Sequence, residues 1–195
     1  MKTVITSLKI FLFFTIITGI IYPLLVTGIA QTLFPAKANG SLIIEDGKVI
    51  GSKLVGQQFD SVIYFTSRPS AVSYNPLPSG GSNLGLTSVK LKNQVAERRT
   101  LFISKNLLDS LAIVPPEMLF ASASGIDPHI SPEAALMQAK RVAKARNFDI
   151  PKTQKLTQCI LNQIETPQFS VFGEKRVNVL ILNLELNKLD KTNKL

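Results

Sequence analysis

From Ile10 to Phe34 the chain reads IFLFFTIITGIIYPLLVTGIAQTLF, without one charged residue. A helix of this length, at about 1.5 Å per residue, outreaches a hydrocarbon core about 30 Å thick. A lone segment in lipid must satisfy its own backbone hydrogen bonds, so it must be helical. Its polar members, Thr15, Thr18, Thr27, Gln31 and Thr32, are mild. Pro23 lacks an N–H and crowds the preceding turn, so a kink is expected there. Lys2 and Lys9 lie on the short flank, and positive charge on a short flank stays cytoplasmic. The expected layout is a short cytoplasmic N-terminus (1–9), a transmembrane helix (10–34) and an extracytoplasmic domain (35–195). A cleaved signal peptide is the competing reading, with Gly28-Ile29-Ala30 as its cleavage site. The apolar run is longer than the roughly 7–15 residues such segments use.

Residues 35–195 number 161, enough for one domain with a real core. The formal net charge is +9. Lys2 and Lys9 supply two of those charges and the first 34 residues hold no acid, so the outer domain keeps +7. Basic domains bind nucleic acid, anionic lipid headgroups or acidic proteins. An exported domain meets no nucleic acid, and no aromatic residues are interleaved with the charge; lipid or a partner protein is the expected contact. Cys159 is the single cysteine, which excludes an internal disulfide and a cysteine metal cluster. It is expected to be a small core residue on a helix.

Residues 35–40 form a short linker. Asp46-Gly47 is a tight-turn pair joining short strands over 41–50. Further short strands are expected within 51–59, at Tyr64-Phe65 and over 119–123. Residues 73–86 are a long loop. A helix is expected from Ser88 to about Leu111, its apolar stripe running through Ala96, Ile103, Leu107 and Leu111. Ser131-Pro132-Glu133 marks a strong helix start, running to about Asn147. On that helix Lys140, Arg141, Lys144 and Arg146 are expected on a basic solvated face. Pro151 opens another helix to about Ile164. Arg176–Leu184, continuous and β-branched, reads as the clearest strand. Asn187–Leu195 is a polar tail expected to fray. The whole is an α+β domain behind a single N-terminal transmembrane helix.

Three places carry polar groups suited to chemistry. His129, the only histidine, stands with Asp127 as a general base or ligand, or as a fixed turn feeding the Ser131 cap. Ser79, Gly80, Gly81, Ser82, Asn83 and Gly85 form a glycine-rich loop able to cradle phosphate or simply to turn. It lacks the Gly-Lys-Ser/Thr of a Walker A loop. Arg68, before Pro69, suits a carboxylate or a partner loop. No acid–base dyad, catalytic group or metal site is expected.

Taken together, the motifs resemble the KdpC family, the C subunit of the Kdp potassium-transporting ATPase. The runs are Gly19 with Tyr22-Pro23, Gly51–Gln57, Tyr64-Phe65 with Arg68–Ala71, Tyr74–Pro76, Ser79–Gly85, Ala121–Pro132, Arg141–Arg146 and Arg176–Leu180. They keep the family's order across nearly the whole chain. Leu86 stands where proline is expected and Ser88 where asparagine is expected. The resemblance implies a non-catalytic accessory subunit of an ATP-driven potassium importer in the bacterial inner membrane. It implies the partners KdpA (channel-like), KdpB (the P-type ATPase) and KdpF (a small membrane subunit). It also implies a catalytic-chaperone role that raises the ATP affinity of KdpB. ATP is then a ligand of the complex, with no tightly bound cofactor on this chain, because an outward domain has no ATP to meet. The Asp-Lys-Thr-Gly phosphorylation motif of a P-type pump is absent from the sequence. The basic faces of the Ser88 and Ser131 helices are expected to point away from the potassium entrance. Two alternatives stay open: a secreted or anchored ligand-binding domain unrelated to ATP, and a cytoplasmic nucleotide-binding regulator.

Overall fold

Thirty-two consecutive residues, Lys2–Leu33, form a helix long and apolar enough to cross a membrane, with mean hydropathy 2.3 and none of its most apolar window buried. The computed structural model describes residues 1–191. The helix comprises α1 (Lys2–Ile16), a π-turn over Ile17–Ile21 and α2 (Tyr22–Leu33). The π-turn answers Pro23. That residue has no N–H for the Gly19 carbonyl and its ring crowds it, and one wider turn just upstream lets the helix continue. Thr15, Thr18 and Thr32 donate their hydroxyls to carbonyls four residues back, at 2.7–2.9 Å, so these polar groups need no water.

The linker forms one short helical turn, α3 (Pro35–Ala38), and then the expected hairpin follows. Its strands are β1 (Leu42–Glu45) and β2 (Lys48–Ser52), paired antiparallel with a register shift between Ile43 and Ile44. Asp46 and Gly47 both take positive φ (51° and 75°), the requirement of the tight turn read from their identities. The chain divides into two compact units after Ser52. No further strand lies within Lys53–Phe59, at Tyr64-Phe65 or over 119–123, contrary to the expectations from sequence.

The second unit is built on helices α4 (Val89–Lys105), α5 (Pro132–Ala145), α6 (Ile150–Asn162) and α7 (Val179–Lys191). Each of the first three starts on a side-chain cap: Ser88 to Leu91 N–H, Ser131 to Ala134 N–H, Asp149 to Lys152 N–H. Ser88 therefore does what asparagine would do in its place. Helix α4 ends six residues earlier than the stripe suggests. Leu107 adopts φ 57°, and the N–H groups of Leu107 and Leu108 close back on Ser104 and Ile103 in a Schellman turn. Leu111 is consequently exposed, and the buried residue of α4 is Phe102.

The strand expected over Arg176–Leu184 lasts three residues, as β5 (Arg176–Asn178). It lies between β3 (His129–Ile130) and β4 (Ile164–Glu165), antiparallel to both. The chain then turns helical because the Asn178 side chain accepts the Ile181 N–H. Val179, Leu182 and Leu186, wholly buried, follow helical spacing, not alternation. Residues 187–191 belong to this helix rather than to a frayed tail; residues 192–195 lie outside the described residues. The core joins these side chains to Phe65, Ile130, Val142, Leu156, Ile160 and Val177.

Tyr64-Phe65 fails as a strand for a definite reason: Tyr64 N–H turns back to Ser61 O, and from Phe65 on the hydrogen-bond partners are side chains. Asn183 accepts from Phe65 N–H (2.8 Å) and donates to Phe65 O (2.9 Å). Gln138 repeats the pattern one residue on, with Thr66 N–H at 2.8 Å and Thr66 O at 3.1 Å. Two helices thus present amides where a neighbouring strand would present backbone. The expected basic face of α5 is also corrected. Lys140 and Lys144 are exposed, but Arg141 is 4% exposed and the Arg146 side chain 5%. Arg141 donates to Asn106 Oδ1 (2.8 Å), Gln138 Oε1 (2.9 Å) and Tyr64 O (2.9 Å), and closely to Val62 O. Arg146 bonds Ile63 O and Asn187, and pairs with Asp190. Cys159 lies half-buried on α6 against the core, its thiol pushed up by burial and by nearby Glu185.

Candidate functional site

Segment 122–129 gathers most of the motifs on which the sequence reading rests. Gly56 N–H donates to Ile126 O (2.7 Å), Gly80 N–H to Ser124 O (3.0 Å) and Ser122 N–H to Pro69 O (3.1 Å). Ser70 Oγ donates to Gly125 O (2.6 Å) and accepts from the N–H groups of Val72 and Tyr74. The Tyr74 hydroxyl closes the turn by donating to Arg68 O. Burial, helped by the Asp127 charge, pushes that phenol up to about 12 despite the opposing Ser67 hydrogen bond and Arg68 charge. The approach at Gly125 is closest. Its φ is 72°, and a methyl group there would stand 2.5 Å from Val72 Cγ2 and 2.7 Å from Gly80 O.

These bonds decide what the glycine-rich loop does. Gly80 gives its N–H to a neighbouring loop, and Gly81 lies against Ala123. Ser79–Gly81 is a packing element. Ser82, Asn83 and Gly85 continue as loop, with Asn83 at φ 51°, and the Gly85 carbonyl accepts the Ser88 N–H.

Arg68, Asp127 and His129 do come together. Arg68 Nη1 donates to Asp127 Oδ2 at 2.9 Å. Asp127 Oδ1 accepts the His129 backbone N–H at 3.0 Å, with His129 Nδ1 3.5 Å away. The sheet adds two residues that sequence reading missed. Glu165 on β4 lies 3.9 Å from His129 Nε2 and accepts from Arg176 Nε on β5 at 2.9 Å. Strand pairing alone makes this row, since Glu165 sits opposite Arg176 and β5 also carries β3. Nothing in the spacing of residues 127, 165 and 176 announces it. Arg68, Asp127, His129 and Arg176 line a cavity of about 610 Å³, together with Glu117, Ser131 and the turn around Phe172 to Lys175.

The chemistry available here is charge pairing, Arg68 with Asp127 and Arg176 with Glu165, with His129 standing between the two carboxylates. The Ser131 hydroxyl is engaged as a helix cap, and Glu117 accepts the Ser131 N–H at 3.3 Å. Burial alone would raise the Asp127 carboxyl. The hydrogen bonds from His129 and the Arg68 guanidinium outweigh that and hold it below the ordinary aspartate range. A carboxyl depressed in the fold stabilises it above the unfolded pKa of about 3.9 and loses that contribution as pH falls through the folded value. Asp127→Asn keeps an acceptor for His129 N–H but removes the charge facing Arg68. Urea unfolding at pH 7 is expected to find the variant less stable than the wild type. At pH 3 the difference should shrink; an equal difference at both pH values would show that the carboxylate charge contributes nothing.

A family model described as "KdpC: K+-transporting ATPase, c chain" matches residues 4–188. Proteins named "Potassium-transporting ATPase KdpC subunit" are similar over nearly their whole length. The one from Trichlorobacter lovleyi is 47% identical, covering 98% of this chain and 100% of its own. That of Photorhabdus laumondii is 44% identical over 94% and 95%. That of Mycobacterium tuberculosis is 44% identical over 96% and 99%.

Proposed function

The chain belongs to the KdpC family, the c chain of K+-transporting ATPases, and from that premise we propose a non-catalytic accessory role inside a potassium pump. The apolar helix Lys2–Leu33 anchors it in the inner membrane, with the N-terminus inside and the second unit outside. There the domain sits on the outer face of a channel-like subunit, KdpA, and stabilises its assembly with the ATPase subunit KdpB and the small subunit KdpF. It raises the ATP affinity of KdpB as a catalytic chaperone, through coupling between subunits and without holding nucleotide itself.

The observation that supports this reading is that the glycine loop packs on the protein through Gly80 and Gly81. A phosphate cradle needs free backbone N–H groups aimed at one point. Here Gly80 N–H is bonded to Ser124 O, and Ser79–Gly81 is packed on segment 122–125. In this reading ATP is a ligand of the complex rather than of this chain. The second unit's inward arginines support a scaffold too: Arg141 and Arg146 fix the fold, and Lys140 and Lys144 are left as an exposed basic pair on α5 that is expected to point away from a potassium entrance.

Affinity purification of the tagged full-length chain from mild detergent tests the role, with co-purifying proteins identified by mass. The expected result is a channel-like subunit and a P-type ATPase subunit. A chain recovered alone and beginning near Gln31 would mean a cleaved leader and a free domain, and would end the accessory reading.

A further inference from the structure

A second cavity, of about 630 Å³, is lined by Phe102 and Met118 and by four charged residues, Asp60, Arg68, Arg98 and Lys105. Arg68 lines both cavities. It gives Nη1 to Asp127, while its Nε is buried without a partner among the described residues. Arg98 donates Nη1 to Leu119 O at 2.8 Å. Lys105 is exposed and makes no hydrogen bond or ion pair among the described residues. Asp60 accepts from Gln58 Nε2 at 2.9 and 3.2 Å.

The charge around this cavity selects its ligand. Arg68 is balanced by Asp127. Arg98 and Lys105 against Asp60 leave one net positive charge facing an apolar-lined space. A phosphate monoester, carrying about −1.5 to −2 at neutral pH, overshoots that charge. A single carboxylate matches it. The short apolar stem of an acidic side chain can lie along Phe102 and Met118 while its oxygens face the Arg98 fork.

We infer that this cavity receives one aspartate or glutamate side chain presented by another subunit of the pump. The inference rests on the accessory-subunit reading and names the chemistry of the partner at one place. It also accounts for Lys105. Although the residue is largely exposed, partial desolvation of its amine, then the Arg141 charge, lowers its pKa from the ordinary lysine value, with Asp60 opposing this. An arriving carboxylate restores the missing counter-charge. Contacts of this kind set register and partner choice more than total affinity.

The test uses the assembled complex, purified through the tagged full-length chain and treated with a zero-length carbodiimide. That reagent condenses an amine with a touching carboxylate, with loss of water. Mass analysis is expected to find Lys105 joined to an acidic residue of another subunit. Lys105→Arg keeps the charge and lacks the amine, so the complex should purify as before with that crosslink gone. Lys105→Glu should weaken the assembly, most visibly as salt is raised. A complex that forms normally but never crosslinks through Lys105, and tolerates Lys105→Glu, overturns the inference and leaves the accessory role standing. Saturable binding of inorganic phosphate by the wild-type chain, lost in Lys105→Glu, would reassign the cavity to phosphate and overturn it as well. Recovery of the chain alone overturns both readings together.

Discussion

Arg141→Met is expected to cost the second unit about 2–4 kcal/mol, because it strands several acceptors around a buried side chain rather than removing one contact. Methionine replaces the stem but none of the donors. Asn106 Oδ1, Val62 O and Tyr64 O would each lose the Arg141 hydrogen bond. Asn106 is buried, and a buried acceptor left unpaired costs about 1–3 kcal/mol; the bonds to the Val62 and Tyr64 carbonyls are part-buried, so their loss costs less. Gln138 Oε1 would keep its bonds from Thr66 and so limit the damage. Burial already depresses the guanidinium pKa to about 10, so the fold holds a charge that it partly desolvates. Urea unfolding of the wild type and variant under identical conditions reads the difference. A loss below about 1 kcal/mol would mean that water replaces the arginine donors without strain.

The second large effect is expected at Gly125. Alanine there must adopt φ 72° and place its Cβ against Val72 and the Gly80 carbonyl. Left-handed strain costs about 1–3 kcal/mol and overpacking a similar amount, so a loss of about 2–4 kcal/mol is expected. The damage should be local first. The Gly80–Ser124 and Ser70–Gly125 hydrogen bonds sit at the point of collision, so the 68–81 loops should loosen before the core. Amide hydrogen exchange should show lost protection at Gly80 and Tyr74 at a denaturant concentration where Leu182 stays protected. Uniform loss across the unit would place the glycine in the global fold instead.

The parts of this fold that were legible from the sequence are those fixed by neighbours in the chain. Asp46-Gly47 announces its hairpin because both residues tolerate positive φ. Ser131-Pro132 announces α5 because cap and first turn are adjacent. The apolar run announces its helix by length alone, although the helix starts at Lys2 rather than at Ile10.

What was not legible depends on partners far along the chain. Val177, Val179, Leu180 and Ile181 have strand-like composition, yet an asparagine cap and the demand for burial at 179, 182 and 186 make most of that run helical. Asn183 looks like a solvent-facing residue until its partner, Phe65, is found 118 positions earlier. Arg141 looks like part of a basic stripe until the loop 62–66 closes over it. The candidate site divides the same way. Asp127-Pro128-His129 was readable as a fixed turn, and the structure shows Asp127 accepting the His129 N–H within it. Glu165 and Arg176 join only because the three-stranded sheet pairs them. The glycine loop had the composition of a phosphate cradle, but composition does not say where its N–H groups go.

The central claim is that the second unit works from outside the membrane and so never meets ATP. Protease mapping of the intact complex in sealed vesicles of defined orientation tests it most directly. With the outer face exposed, the account predicts cleavage within residues 53–191 and protection of the N-terminal tag. Protection of 53–191 there, with cleavage only when the cytoplasmic face is exposed, would contradict it and put the domain on the side where nucleotide is found.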